Sequence, residues 1–335
     1  MISSDVSSDP TPYASLTPER ILDAVESIGL DCDGSLLALN SFENRVWQLG
    51  LYDEGPVVAK FYRAGRWRDA QILEEHRFTL ELAEAEIPVV APLARDGQTL
   101  HHWQDLRFAV FPRRGGRPPE LEDPEVLAWT GRFLGRIHAL GATRAFAERP
   151  TLDIDTFGRE PVAFILASDF LPPELRAPWQ AIAEQALAGI ATCYQRAGTQ
   201  PAIRLHGDCH AGNLLWTPDG PHFVDFDDAR SGPAMQDLWM LLSGDEHTMA
   251  RQFDHVLEGY ETFASLPTGQ LHLIEALRTL RLLHFAAWLA RRWSDPAFPA
   301  AFPWFEGGRY WQDHILALRE QVGLMAESPL VRLCA

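Results

Sequence analysis

The stretch that most limits what this chain can become lies between residues 206 and 228. It reads His-Gly-Asp-Cys-His-Ala-Gly-Asn at 206–213 and, after a short polar turn, Phe-Val-Asp-Phe-Asp-Asp at 223–228. Apolar, β-type runs at 202–205 and 222–224 bracket the loop. Asp208 is followed five residues later by Asn213 and twelve residues after that by Asp225. Such oxygen donors on a tight loop suit a hard cation holding a phosphate chain, because Mg²⁺ keeps several waters and takes one or two carboxylates together with phosphate oxygens.

The spacing repeats the D-x-x-x-x-N of a kinase catalytic loop followed by a metal-binding Asp. The N-terminal third supplies features that would complement it. Strand patterns run over 36–39, 45–51 and 57–62, with turns at 40–44 and 53–56. The first turn stands where a nucleotide-phosphate loop would sit; it lacks glycines and offers Ser41 and Asn44 instead. Lys60 lies within an otherwise apolar strand, like a lysine that contacts the α- and β-phosphates. Taken alone, such a lysine more often faces solvent from a sheet edge. A helix over 70–85 carries Glu74 and Glu75; Glu75 is the choice for holding Lys60 in place, while Glu74, Glu81 and Glu84 are expected to be solvated.

The Pro/Gly-rich 112–119 segment marks a hinge, so the expected organisation is a flexible tail over 1–15, a nucleotide-binding lobe over 16–112, the hinge itself at 113–119, and a catalytic and acceptor-binding lobe over 120–335. Ahead of the strands, Thr17-Pro18-Glu19 reads as the capped start of a helix that Gly29 ends. Beyond the hinge the chain is mostly helical: 126–140, with Gly131 and Gly135 permitting close approach of another helix, then 178–196, a helix starting in 232–242, and further helices near 246–263, 268–293 and 309–325. The segment 151–164 reads as irregular. Asp237 is a candidate to brace the catalytic loop by accepting backbone N–H bonds, or an ordinary carboxylate near a helix N-terminus.

Composition narrows the partners. A net charge of −17 argues against a nucleic-acid binder or a membrane-surface protein, both of which need clustered Lys and Arg. Cys32, Cys193, Cys209 and Cys334 show no CxxC pairing, and no window is apolar enough to span a membrane, so a reduced, cytoplasmic and monomeric protein is expected. His206, Cys209 and His210 could supply soft ligands to zinc, but a fourth is missing. Cys209 beside His210 lacks any accompanying oxyanion motif. The cluster could also merely cap a turn. Against that stands the order Lys60, Glu75, hinge, Asp208, Asn213, Asp225, which points to phosphoryl transfer: Asp208 as the base that addresses the acceptor hydroxyl, Asn213 and Asp225 on Mg²⁺, and Lys60 on the phosphates of ATP.

The same residues resemble the H-G-D-x-H-x-x-N and D-x-D signatures of the aminoglycoside-phosphotransferase and choline-kinase-like superfamily. The segments at 39–46, 71–76, 232–242 and 288–304 resemble more closely the bacterial stress response kinase A group within it. The resemblance implies an α+β, bilobal protein-kinase-like fold, with an antiparallel sheet and helix in the N-lobe and a mostly helical C-lobe. It implies an ATP- and Mg²⁺-dependent serine/threonine protein kinase acting in stress response and protection from programmed death, with Asp208 and Asp225 as active-site residues, Asn213 and Asp225 as magnesium ligands and Ser41 as an ATP contact. The acceptor would be a protein hydroxyl, with autophosphorylation left open. A small-molecule kinase acting on amino-alcohols, homoserine or aminoglycosides is the alternative, and its acceptor pocket would be closed and acidic.

Overall fold

In the computed structural model, residues 13–329 are described. The expected tail over 1–15 falls outside that range up to residue 12, as does Cys334. Residues 13–15 form a turn held from the side: the Tyr13 hydroxyl donates to the carbonyls of Glu43 and Phe61, each at 3.2 Å.

Helix α1 (Pro18–Glu26) precedes strands β1 (Cys32–Leu39), β2 (Arg45–Leu51) and β3 (Val57–Phe61), helix α2 (Asp69–Glu84), and strands β4 (His101–Trp103) and β5 (Leu106–Pro112). Thr17 caps α1 as the sequence suggests, its side chain accepting from the Arg20 N–H at 3.4 Å, with Pro18 in the first turn. The five strands pair antiparallel in the order β1-β2-β3-β5-β4, which puts β3 at the centre. Period-two alternation then sorts its residues. Val57, Ala59 and Phe61 join the buried cluster that includes Ile21, Ala24 and Val25 of α1, whereas Val58 and Lys60 line the cleft on the opposite face. Lys60 is thus 8% exposed in a central strand, and the solvent-edge reading of it is excluded.

The remainder is mostly helical: α3 (Pro124–Gly141), α4 (Glu160–Ala167), α5 (Pro173–Ala197), α6 (Met235–Trp239), α7 (Glu246–Tyr260), α8 (Ile274–Arg291), α9 (Ala297–Ala301) and α10 (Gly308–Ala326). Short strands β6 (Ile203–Leu205), β7 (Leu214–Thr217), β8 (Gly220–Phe223) and β9 (Arg230–Gly232) lie between α5 and α6. The two runs that bracket the signature loop do not pair with each other; β6 pairs with β9 and β7 with β8.

The close approach permitted by Gly131 and Gly135 is realised against α7, where a Cβ on either glycine would collide with the backbone carbonyl of Val256 or Tyr260. The irregular reading of 151–164 is corrected: a π-helical turn at Asp155–Arg159 runs into α4. Pro161 stands just past the point where the π-helical turn passes into α4, and the run that follows is too uniformly apolar to show an amphipathic stripe. No helix among the described residues is long and apolar enough to cross a membrane.

Candidate active site

The loop after β6 is held by one buried carboxylate. Asp237, fully buried in α6, accepts from the backbone N–H of His206 and of Gly207, each at 2.8 Å, and pairs with His138 Nε2 at 3.0 Å. His138 in turn meets the Tyr260 hydroxyl at 3.0 Å, so the packing of α3 on α7 sets the position of the brace. This is the bracing arrangement expected of Asp237. Gly207 has φ 87° and its missing Cβ leaves room for the carbonyl of Asp228, so no other residue fits there without strain. His206 is buried and its Nε2 bonds the Val224 carbonyl at 2.9 Å, tying the loop to the following strand. Cys209 sits in the apolar core with its thiol pushed well up by burial. With His206 committed to the backbone and Cys209 turned inward, neither the zinc reading nor a Cys-His nucleophile survives.

What the loop presents to the cleft is Asp208, His210 and Asn213. Asn213 Nδ2 donates to the Asp208 carbonyl at 2.9 Å, which leaves its Oδ1 as the outward donor oxygen. Burial disfavours the charged form of Asp208, yet a contact from His210 and the neighbouring Arg281 guanidinium outweigh it and hold the carboxyl below its usual range. His210 Nδ1 accepts from the Gly212 N–H at 2.9 Å, so its proton sits on Nε2, 3.4 Å from Asp208.

Across the cleft, Lys60 Nζ meets Asp225 Oδ1 at 2.6 Å. Asp225 reaches it from a left-handed backbone position, φ 60°, uncommon outside glycine and a local strain characteristic of functional loops. Its side chain is 51% exposed against 10% for Lys60, so the carboxylate still opens to the cleft. Burial alone would weaken the Lys60 proton, but Asp225, Asp227 and Glu75 over-compensate and keep it bound. Glu75 is buried and lines the same cavity, but the lysine's ion pair goes to Asp225. Burial pushes the Glu75 carboxyl up to about 7, so its claim on the ammonium is the weaker one. Glu74, expected in solvent, is buried: it accepts from the N–H groups of Ala147, Glu148 and Arg149 at 2.6–2.8 Å. Glu81 is also engaged, pairing with Arg204 at 2.9 Å and Arg144 at 2.8 Å. Both departures have one cause, since α2 packs on segments far away in sequence.

Charges the spacing rules do not single out complete the floor. Asp227 takes Asn44 Nδ2 at 3.0 Å and an ion pair from Arg66, and Asp228 takes Arg66 at 3.0 Å and Arg230 at 2.7 Å. These cations overcome burial and hold both carboxyls below their usual range. The 40–44 turn is tied down as well. Glu43 accepts from Trp288 Nε1 at 2.5 Å and pairs with Arg292, Arg45 pairs with the buried Asp295 at 3.1 Å, Arg63 pairs with that same carboxylate, and the Phe42 ring lies 5.0 Å from that of Phe302. Ser41 Oγ donates to Leu39 and accepts from the Val46 N–H at 3.2 Å, so here it shapes the turn.

One cavity of about 870 Å³ is lined by Ser41, Lys60, Glu75, Asp208, Asn213 and Asp225 together, which brings every expected site residue to a single cleft. Its donor set fits Mg²⁺ bound in the nucleotide manner: the Asn213 oxygen and the free side of Asp225 are two protein oxygens, the number such an ion takes when phosphate and water supply the rest. Among the described residues no group of three or more His, Cys, Asp or Glu could hold a metal alone. Sequence reading missed Arg66, Asp227, Asp228, Arg281 and Asp295. The two aspartates stood inside the quoted motif, whereas the arginines and Asp295 carry no local signal.

The model of the phosphotransferase enzyme family matches residues 35–272. Stress response kinase A of Escherichia coli (strain K12) is 44% identical over 318 residues, covering 95% of this chain and 96% of that protein. Serine/threonine protein kinase RdoA of Salmonella typhimurium shows the same identity and coverage. Among solved structures, amicoumacin kinase hAmiN in complex with AMP-PNP, Ca²⁺ and Ami superposes with a TM-score of 0.72 at 16% identity, covering 93% of this chain and 94% of that one. Choline kinase from Cryptosporidium parvum gives a TM-score of 0.59 at 11% identity, covering 95% and 98%. At these identities the structures establish the kinase-like fold alone.

Proposed function

The chain belongs to the phosphotransferase enzyme family and, within it, to the stress response kinase A group, and on that premise we propose that it transfers the γ-phosphate of ATP, with Mg²⁺, to a serine or threonine hydroxyl of a protein during bacterial stress. The observation that carries the reading is the convergence of Lys60, Asp208, Asn213 and Asp225 on one cavity from elements far apart in sequence. Asp208, held ionised, orients the acceptor hydroxyl and takes its proton as the bond to phosphorus forms. Lys60 exchanges part of its contact with Asp225 for the α- and β-phosphates. Asn213 and Asp225 would hold Mg²⁺, which when bound draws charge off the phosphate oxygens. Glu75 adds to the field of Asp225 and Asp227 that keeps Lys60 charged, and Ser41 shapes the turn over the phosphates.

The same proposal treats 16–112 as the nucleotide side, 113–119 as the connecting segment and 120 onward as the acceptor side, in a cytoplasmic monomer. The test is label transfer from γ-labelled ATP with Mg²⁺ to a generic protein substrate and to a panel of amino-alcohols. The expected result is label on serine or threonine, with Asp208→Ala reducing turnover by about 10³-fold, the range for loss of a general base. Label on amino-alcohols alone would sink the protein acceptor, and wild-type turnover by Asp208→Ala would sink the assignment of the base.

A further inference from the structure

Helix α8 forms a long wall of the cleft, and the residues it turns inward recur at helical spacing: Arg281, His284, Phe285, Trp288 and Arg291, with Arg292 immediately following. No carboxylate of α8 reaches this cavity; its Glu275 is engaged elsewhere, by Arg278 at 2.9 Å. His284 lies flat on Phe157 with ring centroids 4.2 Å apart, and burial and the nearby Arg230 push its pKa down to about 3, so the positive charge of the wall belongs to its arginines. In a chain of net charge −17 this is a local inversion of sign.

The arginines differ in how they are matched. Arg292 is engaged by Glu43, at the turn above the cleft. Arg291 is exposed, rests on the face of Phe164 with its guanidinium carbon 4.9 Å from the ring centre, and makes no ion pair among the described residues. Arg281 pairs with Asp208, the carboxylate that must be free to receive a hydroxyl proton. A cation in that place suits an acceptor that brings its own anion, because the guanidinium can pass from Asp208 to the incoming carboxylate without being left unpaired in a half-buried site.

We propose that Arg281 and Arg291 are specificity determinants that read two acidic side chains of the protein acceptor, one beside the phosphorylated hydroxyl and one farther along an extended peptide laid over α8. The inference rests on the protein-kinase reading given above. Ten residues of helix separate the two arginines, about 15 Å along the axis, which an extended chain rising about 3.3 Å per residue covers in four to five residues. Charge transfer to the peptide also leaves Asp208 uncapped only when a matching acceptor is present, whereas a cationic small molecule would meet repulsion from the same wall.

The experiment uses the full chain, Mg²⁺, γ-labelled ATP and serine peptides of one backbone sequence. Aspartate, asparagine or lysine is placed either next to the serine or four to five residues away, on each side in turn. The expected result is a kcat/KM about tenfold or more higher for the aspartate peptides than for their asparagine isosteres. Arg291→Glu should abolish the distant preference and favour lysine there, and Arg281→Gln should abolish the near one; Arg291 is exposed, so its substitution leaves the core untouched. Equal use of aspartate and asparagine peptides by the wild type would overturn the inference while leaving the protein-kinase reading standing. So would an aspartate preference that survives Arg291→Glu and Arg281→Gln, or an Arg281→Gln loss equal for all peptides, which would assign Arg281 to the nucleotide. Label on no peptide at all would instead remove the protein-kinase reading beneath it.

Discussion

The two sides of the cleft are fixed in opposite ways. The 206–213 loop hangs on Asp237, a single fully buried carboxylate that serves two backbone donors and a histidine at once. The 40–44 turn hangs on many partly redundant contacts: Glu43 with Trp288 and Arg292, Asp295 with Arg45 and Arg63, and Phe42 on Phe302. A brace made of one buried group leaves unpaired donors behind when it is lost, whereas a distributed clamp lets each arginine turn to a remaining carboxylate or to water. The contrast suits the tasks proposed for the two sides. The loop must hold the reacting groups to a fraction of an ångström, and the turn must yield enough to admit and release a nucleotide.

If the loop does hang on one carboxylate, Asp237→Ala should have the largest effect of all. It strands two backbone N–H groups and a buried imidazole, each unmet polar group costing about 1–3 kcal/mol, so a large drop in melting temperature and a fall in kcat of about 10²-fold are expected. Calorimetry together with turnover measurements checks both, and a variant as stable and active as the wild type would show that the loop is held by something else. Asp295→Ala should cost less, about 2 kcal/mol, because Arg63 also lies 3.3 Å from Glu43. Its signature should be kinetic: KM for ATP rising severalfold with kcat nearly unchanged. A fall in kcat with unchanged KM would mean that the turn, too, positions the reacting groups.

A third expected effect concerns pH. Burial raises the Glu75 carboxyl from 4.5 to about 7 in the folded chain. A group whose folded pKa is raised contributes stability that is fully present below its unfolded pKa and lost as pH rises through the folded value. The window here is therefore about pH 4.5 to 7. Glu75→Gln cannot lose a proton, so its stability relative to wild type should improve by roughly 3 kcal/mol across that window, the equivalent of moving the carboxyl from 4.5 to about 7. Parallel denaturant titrations of both proteins would show it, and a difference independent of pH would place Glu75 in a fully charged pair with Lys60 instead.

The aromatic and charged segment 288–304 gains a physical role from this comparison. Trp288, Arg292, Asp295 and Phe302 are the anchors of the turn, more than two hundred residues away in sequence, which explains how a turn without glycines, proposed to sit over the phosphates, can hold its shape. Contacts from distant side chains stand in for the backbone chemistry of a glycine-rich loop.

Some of this was legible in residue order because its cause is local. Thr17 and Pro18 start α1 by capping, Gly131 and Gly135 admit α7 by lacking side chains, and the spacing of Asp208, Asn213 and Asp225 marks a loop that presents oxygens. The alternation of β3 also separates Lys60 from the core residues beside it, although only the sheet order shows that the strand is central. Other features have no local cause. Glu74 turns inward because residues 147–149 bring it three N–H groups, the lysine's partner is Asp225 because a left-handed residue aims that carboxylate across the cleft, and Arg281 reaches Asp208 because α8 lines the same cleft. Residue types alone settle which groups can carry charge, donate and turn. Which charges meet is settled by packing, because an ion pair depends on distance and burial, and neither is set by position along a chain.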